Sequence, residues 1–234
     1  MRRPPGIALR VLRRVSLIVA ALLVLVARRS SAQSTFSSRA TFLAVLGGAQ
    51  VQVYDFNSVP LSPSLSDPIA GIGPLTFSSP NGTQTFVVGP GFDPVFQFGT
   101  GNVLSISRGQ NPLVFTITSP TPLSAFGIDF GEPSDPCCVP VPFTFALDNG
   151  FAATALATGS GPAGGIKTFQ FFGVSSPTPF SQVTITVNSG AFLNATFDNV
   201  TTLDIVPEPR ALALLATGLP ILAVVTWRHR ARRA

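Results

Sequence analysis

Carboxylates are the side chains of this 234-residue chain with the clearest capacity for chemistry. Three of them, Asp129, Glu132 and Asp135, fall within seven residues of sequence, interspersed with glycine and proline. Oxygen ligands on an irregular loop are what Ca²⁺ takes in proteins, although this spacing is not that of an EF-hand. The segment therefore predicts either a calcium-binding loop or a solvated acidic loop.

A second pair of acids is far apart in the sequence. Asp55 lies near the start of the central segment, and Asp198 lies near its end and is followed by Asn199. First and last strands are often neighbours in jelly rolls, so these side chains could meet and hold a structural Ca²⁺. Paired carboxylates also perform glycoside hydrolysis, where they stand about 5–9.5 Å apart. Nine acidic residues in 34–206 make chance pairs common, and Tyr54 as the single tyrosine indicates no aromatic-rich cleft.

Nucleophilic catalysis has little support in the composition. Cys137 and Cys138 are the two cysteines, and His229, the single histidine, is in the basic C-terminal tail. A thiol or hydroxyl nucleophile therefore has no imidazole partner in the central segment, and no imidazole is available there to bind a metal. We expect an oxidised vicinal cysteine pair that stiffens a proline-rich loop. Pairing with another chain and free thiols are the alternatives.

The net charge of +5 is distributed very unevenly. Residues 34–206 contain three basic residues, Arg39, Arg108 and Lys167, against nine acidic residues, a formal charge of −6. The remaining arginines lie near the two ends. Because no basic face is left to neutralise phosphates, we exclude a nucleic-acid partner.

The N-terminus has the order of a secretory signal peptide. Residues 1–14 contain five arginines, residues 15–27 carry no charge, and Ser30, Ser31 and Ala32 follow. This order predicts a signal peptide over residues 1–32, cleaved after Ala32. An uncleaved membrane anchor is the alternative.

The C-terminus has three parts in a fixed order. Val206, Pro207, Glu208 and Pro209 precede an uncharged stretch at 211–227 and a basic tail at 228–234. The stretch predicts a short membrane-spanning helix whose basic end stays in the cytoplasm, so that residues 33–205 lie across the membrane. Two prolines keep the segment before the helix extended.

This order resembles the PEP-CTERM sorting signal of Gram-negative bacteria that make extracellular polysaccharide. The resemblance implies recognition by an exosortase, which removes the helix and passes the protein to the cell surface or the matrix. Residues 206–209 match the motif of that family one by one, and the match covers residues 206–234. A plain tail anchor, which would leave a permanently anchored periplasmic binding protein, is the alternative.

The central segment, residues 33–205, has the composition of short strands joined by turns. It holds all 20 phenylalanines, and residues 34–206 contain 19 glycines and 17 prolines. Alternating apolar residues predict ten to twelve strands and no helices. Asn149 and Gly150 predict a hairpin with a type I′ turn. The runs that read as strands are 51–56, 85–88, 95–98, 103–107, 113–118, 124–130, 143–147, 152–157, 168–172, 183–187 and 195–203.

We therefore expect an all-β ectodomain, an antiparallel two-sheet sandwich of jelly-roll type. Phe-Phe-Gly at 171–173, Pro179-Phe180 and the segment 198–200 are similar to the all-β ectodomains often attached to PEP-CTERM signals, which look like carbohydrate-binding jelly rolls. The leading hypothesis is a noncatalytic, adhesive or structural protein of the exopolysaccharide layer that contacts polysaccharide and needs no cofactor. A secreted carbohydrate-active hydrolase is the alternative from another class.

Overall fold

The computed structural model describes residues 32–47, 49–61, 71–79, 84–89, 101–107, 112–131, 140–157, 168–188 and 194–205. The predicted signal peptide up to residue 31 lies outside these residues. So do Glu132, Asp135, both cysteines, and Val206 and everything after it, which includes the predicted sorting signal. The described ranges contain no candidate membrane-spanning helix.

The described residues form eleven strands and one helix. The predicted antiparallel β-structure is confirmed, because every strand pair is antiparallel. The elements are β1 (Ser34–Phe36), α1 (Arg39–Leu46), β2 (Gln52–Tyr54), β3 (Gly71–Ile72), β4 (Leu75–Ser78), β5 (Gln84–Val88), β6 (Val103–Ser107), β7 (Leu113–Gly131), β8 (Val141–Leu147), β9 (Ala152–Ala157), β10 (Gln170–Val187) and β11 (Asn194–Asp204).

Strands β7 and β10 are unusually long and run side by side over nearly their whole length. The sequence predicted two strands in each of these regions, and that prediction is wrong. Each is one strand that bends in the middle, where the β7–β10 register shifts. The halves of each strand consequently belong to different layers of the molecule.

The two layers share the β7–β10 ladder. In the first layer, the order is β5, β6, β11, the C-terminal half of β7, the N-terminal half of β10, and β1, with β2 beside β11. In the second layer, the order is β3, β4, the N-terminal half of β7, the C-terminal half of β10, β8 and β9. The sheet thus folds over on itself, and its inner faces pack together.

Phenylalanines fill the space between the layers. The rings of Phe145 in the second layer and Phe172 in the first stack with centroids 3.9 Å apart. Phe115 and Phe197 make a second stacked contact across the layers at 5.7 Å. All four rings are at most 3 % exposed. Burying an aromatic ring of this size contributes about 1.5–3 kcal/mol, so the phenylalanine-rich composition serves mainly the core.

The bends in β7 and β10 have the same sequence, Ser-Pro-Thr-Pro, at 119–122 and 176–179. Proline has no N–H to donate to a ladder, so regular pairing is interrupted at each bend. In both bends the serine Oγ accepts a hydrogen bond from the N–H two residues later, at 3.3 Å in one and 3.2 Å in the other. The repeated tetrapeptide therefore turns both strands from one layer to the other at the same point.

Strands β8 and β9 form the hairpin that Asn149 and Gly150 predict, but the predicted turn type is wrong. Gly150 has a φ of 91°, and Asn199 is the one non-glycine residue with positive φ among the described residues, so Asn149 does not have the positive φ of a type I′ turn. The N–H of Leu147 donates to the carbonyl of Phe151 at 2.8 Å. A three-residue loop that ends in a glycine with positive φ fits this bond. Like the predicted type I′ turn, it reverses the chain so that β8 and β9 pair antiparallel.

Helix α1 contradicts the expectation of a segment without helices. It lies on the outer face of the first layer, where Phe42 is fully buried against Phe171, with ring centroids 5.5 Å apart. A Cβ built on Gly127 or Gly173 would come within 2.8 Å of the Phe171 ring and within 3.0 Å of the Phe42 ring. Glycine at these two positions therefore leaves room for the Phe42 and Phe171 rings where the helix docks.

Candidate functional site

Five polar side chains from three elements meet on the outer face of the first layer, beside helix α1. Asp129 of β7 and Asp198 of β11 are direct cross-strand partners. Arg39, at the start of α1, reaches over both strands. Asn199 and Thr201 of β11 complete the group, which we call the carboxylate cluster (Arg39, Asp129, Asp198, Asn199 and Thr201).

Arg39 contacts all three of the strands that the cluster adjoins. Its Nη2 lies 2.9 Å from Oδ1 of Asp129 and donates to the backbone carbonyl of Asn199 at 3.0 Å. Its Nη1 donates to Oγ1 of Thr201 at 2.6 Å. The guanidinium also lies over the ring of Phe171, 4.8 Å from the centroid, in a cation–π contact. One cation therefore joins α1, β7, β10 and β11.

Asn199 keeps the two carboxylates together. Its Nδ2 donates to Oδ2 of Asp129 at 2.9 Å and to Oδ2 of Asp198 at 3.2 Å. Its backbone N–H donates to Oδ1 of Asp198 at 2.7 Å. The φ of Asn199 is 49°, a left-handed conformation that asparagine tolerates better than most residues, and the β11–β7 register shifts between Asp198 and Thr201. This register shift is a β-bulge, and it places the side-chain amide of Asn199 between the two carboxylates.

Asp198 has an altered acidity. Its side chain is 9 % exposed, and burial, together with the nearby charges of Asp129 and Asp55, raises its pKa from 3.8 to about 6. Hydrogen bonds from the backbone N–H groups of Asn199 and Phe56 oppose the shift. Asp129 and Asp198 therefore face each other in different environments, one beside a guanidinium and the other largely removed from solvent.

Two buried hydroxyls lie on the same outer face as Asp198. Thr196 is two residues before Asp198 on β11, and Ser105 is its cross-strand partner on β6. Both residues are fully buried, and neither hydroxyl has a hydrogen-bond partner in the described part of the chain. A row of polar side chains, buried at Thr196 and Ser105, therefore continues from the carboxylate cluster to β6.

The structure brings some of the predicted calcium ligands together. Asp55 follows β2, which pairs with β11 through Tyr54 and Val200, so Asp55 comes close enough to Asp198 to affect its pKa. Asp55 itself is exposed, and its Oδ1 accepts the N–H of Asn57 at 3.1 Å. The described residues contain no group of three or more His, Cys, Asp or Glu side chains arranged to hold a metal ion.

The cation observed at Asp129 is Arg39. The Asp129 carboxylate, the Asn199 carbonyl and the Thr201 hydroxyl all lie at its guanidinium, and oxygens of these types are also Ca²⁺ ligands. Glu132 and Asp135, the other two acids of the predicted loop, lie outside the described residues. Cys137 and Cys138, and the motif Val206, Pro207, Glu208 and Pro209, do too.

A separate groove of about 720 Å³ runs along one side of the molecule, between the edge strands β1 and β9 and the start of β10. Phe36, Phe169 and Phe171 contribute rings to it, and the buried Phe130 and Phe172 lie deeper. None of the described residues that line the groove is charged, and neither Asp129 nor Asp198 is among them.

Sequence reasoning missed both Arg39 and the groove. Arg39 is one of three cations in an acidic segment, and the scarcity of cations was the available signal that it would pair with a carboxylate. The groove gave no such signal, because its rings come from segments more than 90 residues apart. A composition with one tyrosine indicated no aromatic cleft, yet phenylalanine supplies the rings.

Comparisons with known proteins give structural neighbours only. No protein-family model and no curated protein matches the chain. The cleaved adhesin domain K1 of Lys-gingipain from Porphyromonas gingivalis W83 is 10 % identical with a TM-score of 0.46, and the match covers 68 % of this chain and all of that domain.

Two carbohydrate-binding modules show a weaker likeness. The xylan-binding CBM22-1 domain of Paenibacillus barcinonensis Xyn10C has a TM-score of 0.37 at 10 % identity, covering 68 % of this chain and 97 % of that one. A family 11 module from Clostridium thermocellum, in complex with a mixed-linked tetrasaccharide, has a TM-score of 0.34 at 11 % identity, covering 60 % and 94 %. Likenesses of this size assign no function to the chain.

Proposed function

We propose that this chain is an exported, noncatalytic protein of the cell surface or extracellular matrix of a Gram-negative bacterium. Residues 33–205 form its ectodomain, a jelly-roll-like sandwich that has a structural or adhesive role and contacts polysaccharide. Residues 206–234 hold it in the inner membrane until an exosortase cuts near Pro207-Glu208-Pro209.

The position of the last strand carries this proposal. Strand β11 ends at Asp204, and the motif that resembles the sorting signal begins two residues later at Val206. Because β11 pairs with β2 and β6 on one side and β7 on the other, the chain leaves the folded body from within a sheet. A cut after residue 205 would remove no strand of the described fold.

The carboxylate cluster also supports a noncatalytic role. The Asn199 amide lies between Asp129 and Asp198, and a guanidinium covers Asp129, so these groups satisfy one another. Hydrolysis of a glycoside needs space between two carboxylates for the sugar and for water. The groove, where a chain molecule would fit, lacks both carboxylates.

The intact mass of the protein from its native host tests the proposal. We expect loss of residues 1–32 and of the residues after about Pro209, together with recovery from the medium or the cell surface. A strain without exosortase is the control and should retain the C-terminal segment. A mature chain that still contains Trp227 in the normal host would instead establish a permanently anchored protein.

A second candidate, a secreted carbohydrate-active hydrolase, is favoured by one observation: Asp198, with its raised pKa, faces Asp129. A carboxyl group whose pKa is raised, facing a second carboxyl group in a different environment, is the arrangement of a general acid and its partner. If this is the function, Asp198→Asn and Asp129→Asn each abolish release of reducing sugar. Under the noncatalytic proposal, the unmodified chain releases none above background.

Calcium binding is a separate part of the proposal. Within the described residues, Asp55 and Asp198 make no salt bridge. Ca²⁺ would bind between these two carboxylates. Ca²⁺ would then raise the melting temperature above that in EDTA, and Asp55→Asn would remove the difference. An equal melting temperature in Ca²⁺ and EDTA would count against the site.

A further inference from the structure

The groove between β1 and β9 differs chemically from the rest of the ectodomain. Residues 34–206 carry a formal charge of −6, whereas none of the described residues lining the groove is charged. An acidic body repels polyanions, and this repulsion extends about 8–10 Å at physiological salt. The groove is thus suited to an uncharged ligand.

Aromatic rings and hydroxyl groups both line the groove. Phe36 and Phe169 are half-buried, so their rings are partly accessible, and Phe171 is 9 % exposed. Thr35 and Ser38 on one wall and Thr154 on the other are exposed. A sugar ring has an apolar C–H face and a rim of hydroxyls, so it can pack on an aromatic ring while its hydroxyls form hydrogen bonds to side chains.

Ser38 has a hydroxyl that the helix does not use. It occupies the N-cap position of α1, with φ −133° and ψ 126°, yet its side chain makes no capping hydrogen bond. A serine at this position normally bonds a backbone N–H of the first turn. Because Ser38 lines the groove, its hydroxyl can form a hydrogen bond with a bound ligand.

From these features we propose that the groove binds a short run of sugar rings in a neutral polysaccharide, and that Phe36, Phe169 and Ser38 contact it. The volume of about 720 Å³ is within the range of ligand sites, about 300–1,000 Å³. This inference rests on the proposed polysaccharide contact of the ectodomain, but it is independent of how the protein is sorted and cut.

A blocking substitution with a matched control tests the site. Leu156 lies on β9 at the groove and is 52 % exposed, and Val53 lies on β2, away from the groove, and is 54 % exposed. Leu156→Arg and Val53→Arg introduce the same charged side chain at nearly equal exposure. Ser37→Arg, an exposed position on the opposite wall, repeats the block on a different element.

The measurement is binding of the full-length chain to immobilised mixed-linkage β-glucan and dextran, with alginate as the anionic probe, in a detergent without a sugar headgroup. We expect binding to at least one neutral polymer, weakened at least tenfold by Leu156→Arg and by Ser37→Arg and unchanged by Val53→Arg. Alginate binding that survives the blocking substitutions belongs to the basic termini.

Two results would overturn the groove proposal. One is the absence of binding to both neutral polymers. The other is neutral binding that is insensitive to the blocking substitutions while the variants keep the melting temperature of the unmodified chain. Either result leaves the sorting proposal standing, because intact mass tests that proposal separately.

Discussion

Asp198 links the stability of the protein to pH. Its folded-state pKa of about 6 lies above the value of 3.8 expected for an unfolded chain, so the folded state binds this proton more tightly. The resulting stabilisation is complete below about pH 3.8 and is lost as pH rises through about 6. Ionisation of this one group lowers the free energy of unfolding by something on the order of 3 kcal/mol between these limits.

The Asp198→Asn variant isolates that effect from the other acids. We expect it to be more stable than the unmodified chain at pH 8 and to lack the fall in stability between pH 5 and pH 8. Denaturant unfolding at both pH values measures the difference. An equal fall in both proteins would mean that Asp198 is not the group responsible.

Arg39 should be the side chain whose loss costs the cluster most. Arg39→Met leaves the Asp129 carboxylate, whose side chain is 16 % exposed, without its cation and breaks the contacts to the Asn199 carbonyl and Thr201. We expect a loss of about 2–3 kcal/mol in the free energy of unfolding, less than for a fully buried pair because Arg39 is 27 % exposed.

A double variant separates the ion pair from simple packing. Arg39→Met combined with Asp129→Asn removes both charges, so part of the stability should return. If the two losses simply add, the pair is not coupled. Urea unfolding at pH 7 of the single and double variants gives the coupling energy.

Sequence reasoning selected Asp55, Asp129 and Asp198 because the residue types that can bind a metal ion are read directly from the sequence. It could not select Arg39 as their partner, because α1 precedes Asp129 by about 90 residues. The successive pairing of β1 with β10, β10 with β7 and β7 with β11 brings the helix to them. The bridging role of Asn199 depends on a register shift, which a single sequence does not encode visibly.

At the scale of elements, the two Ser-Pro-Thr-Pro bends are alike in sequence and unequal in their contacts. Ser119 and Ser176 are 6 % and 7 % exposed, and each accepts the N–H two residues on. Ser176 also accepts the side-chain amides of Gln33 at 3.0 Å and Asn149 at 3.1 Å. The second bend is therefore tied to the chain before β1 and to the β8–β9 hairpin.

Removing each serine hydroxyl compares the two bends directly. We expect Ser176→Ala to lower the free energy of unfolding by about 1–2 kcal/mol, because several donors lose one acceptor, and Ser119→Ala to lower it by about 0.5–1 kcal/mol. Thermal unfolding of the two variants under identical conditions ranks them. A larger loss for Ser119→Ala would contradict the importance of the amide contacts.

Strands were easier to predict than the helix for a physical reason. Alternation of buried and exposed residues is strict in β8, where Val141, Phe143, Phe145 and Leu147 face the core, and this period of two is visible in the sequence. Helix α1 has eight residues, no charge besides Arg39 and one buried residue, Phe42. Its helical signal was limited to a serine before it and the left-handed Gly47 after it.

At the scale of the whole molecule, processing should reverse the sign of the charge. The full chain has a formal charge of +5, whereas residues 33–209 hold three basic and ten acidic residues, a formal charge of −7. Isoelectric focusing of the protein from the native host should therefore give an acidic form. A basic form recovered from the cell surface would show that the termini are still attached.

The antiparallel architecture followed from composition, whereas the fold-over of the sheet did not. Turn-forming residues and apolar alternation determine that strands form, but the pairing of β7 with β10 joins residues up to 74 apart in sequence, and the pairing of β1 with β10 spans more. The pairing of strands so far apart in sequence depends on how the phenylalanines pack between the layers. That packing exists only in the folded core.

The central position of β11 determines how the protein responds to mechanical force. A pull on the chain beyond Ile205 acts along a strand held by ladders on both flanks. Arg39 also binds that strand to α1, a helix from the N-terminal part of the described chain. Such a load shears several hydrogen bonds at once instead of peeling them singly, and survival under tension depends on that unfolding rate. A load applied through the tail would therefore meet the β11 ladders before it reached the rest of the sheet.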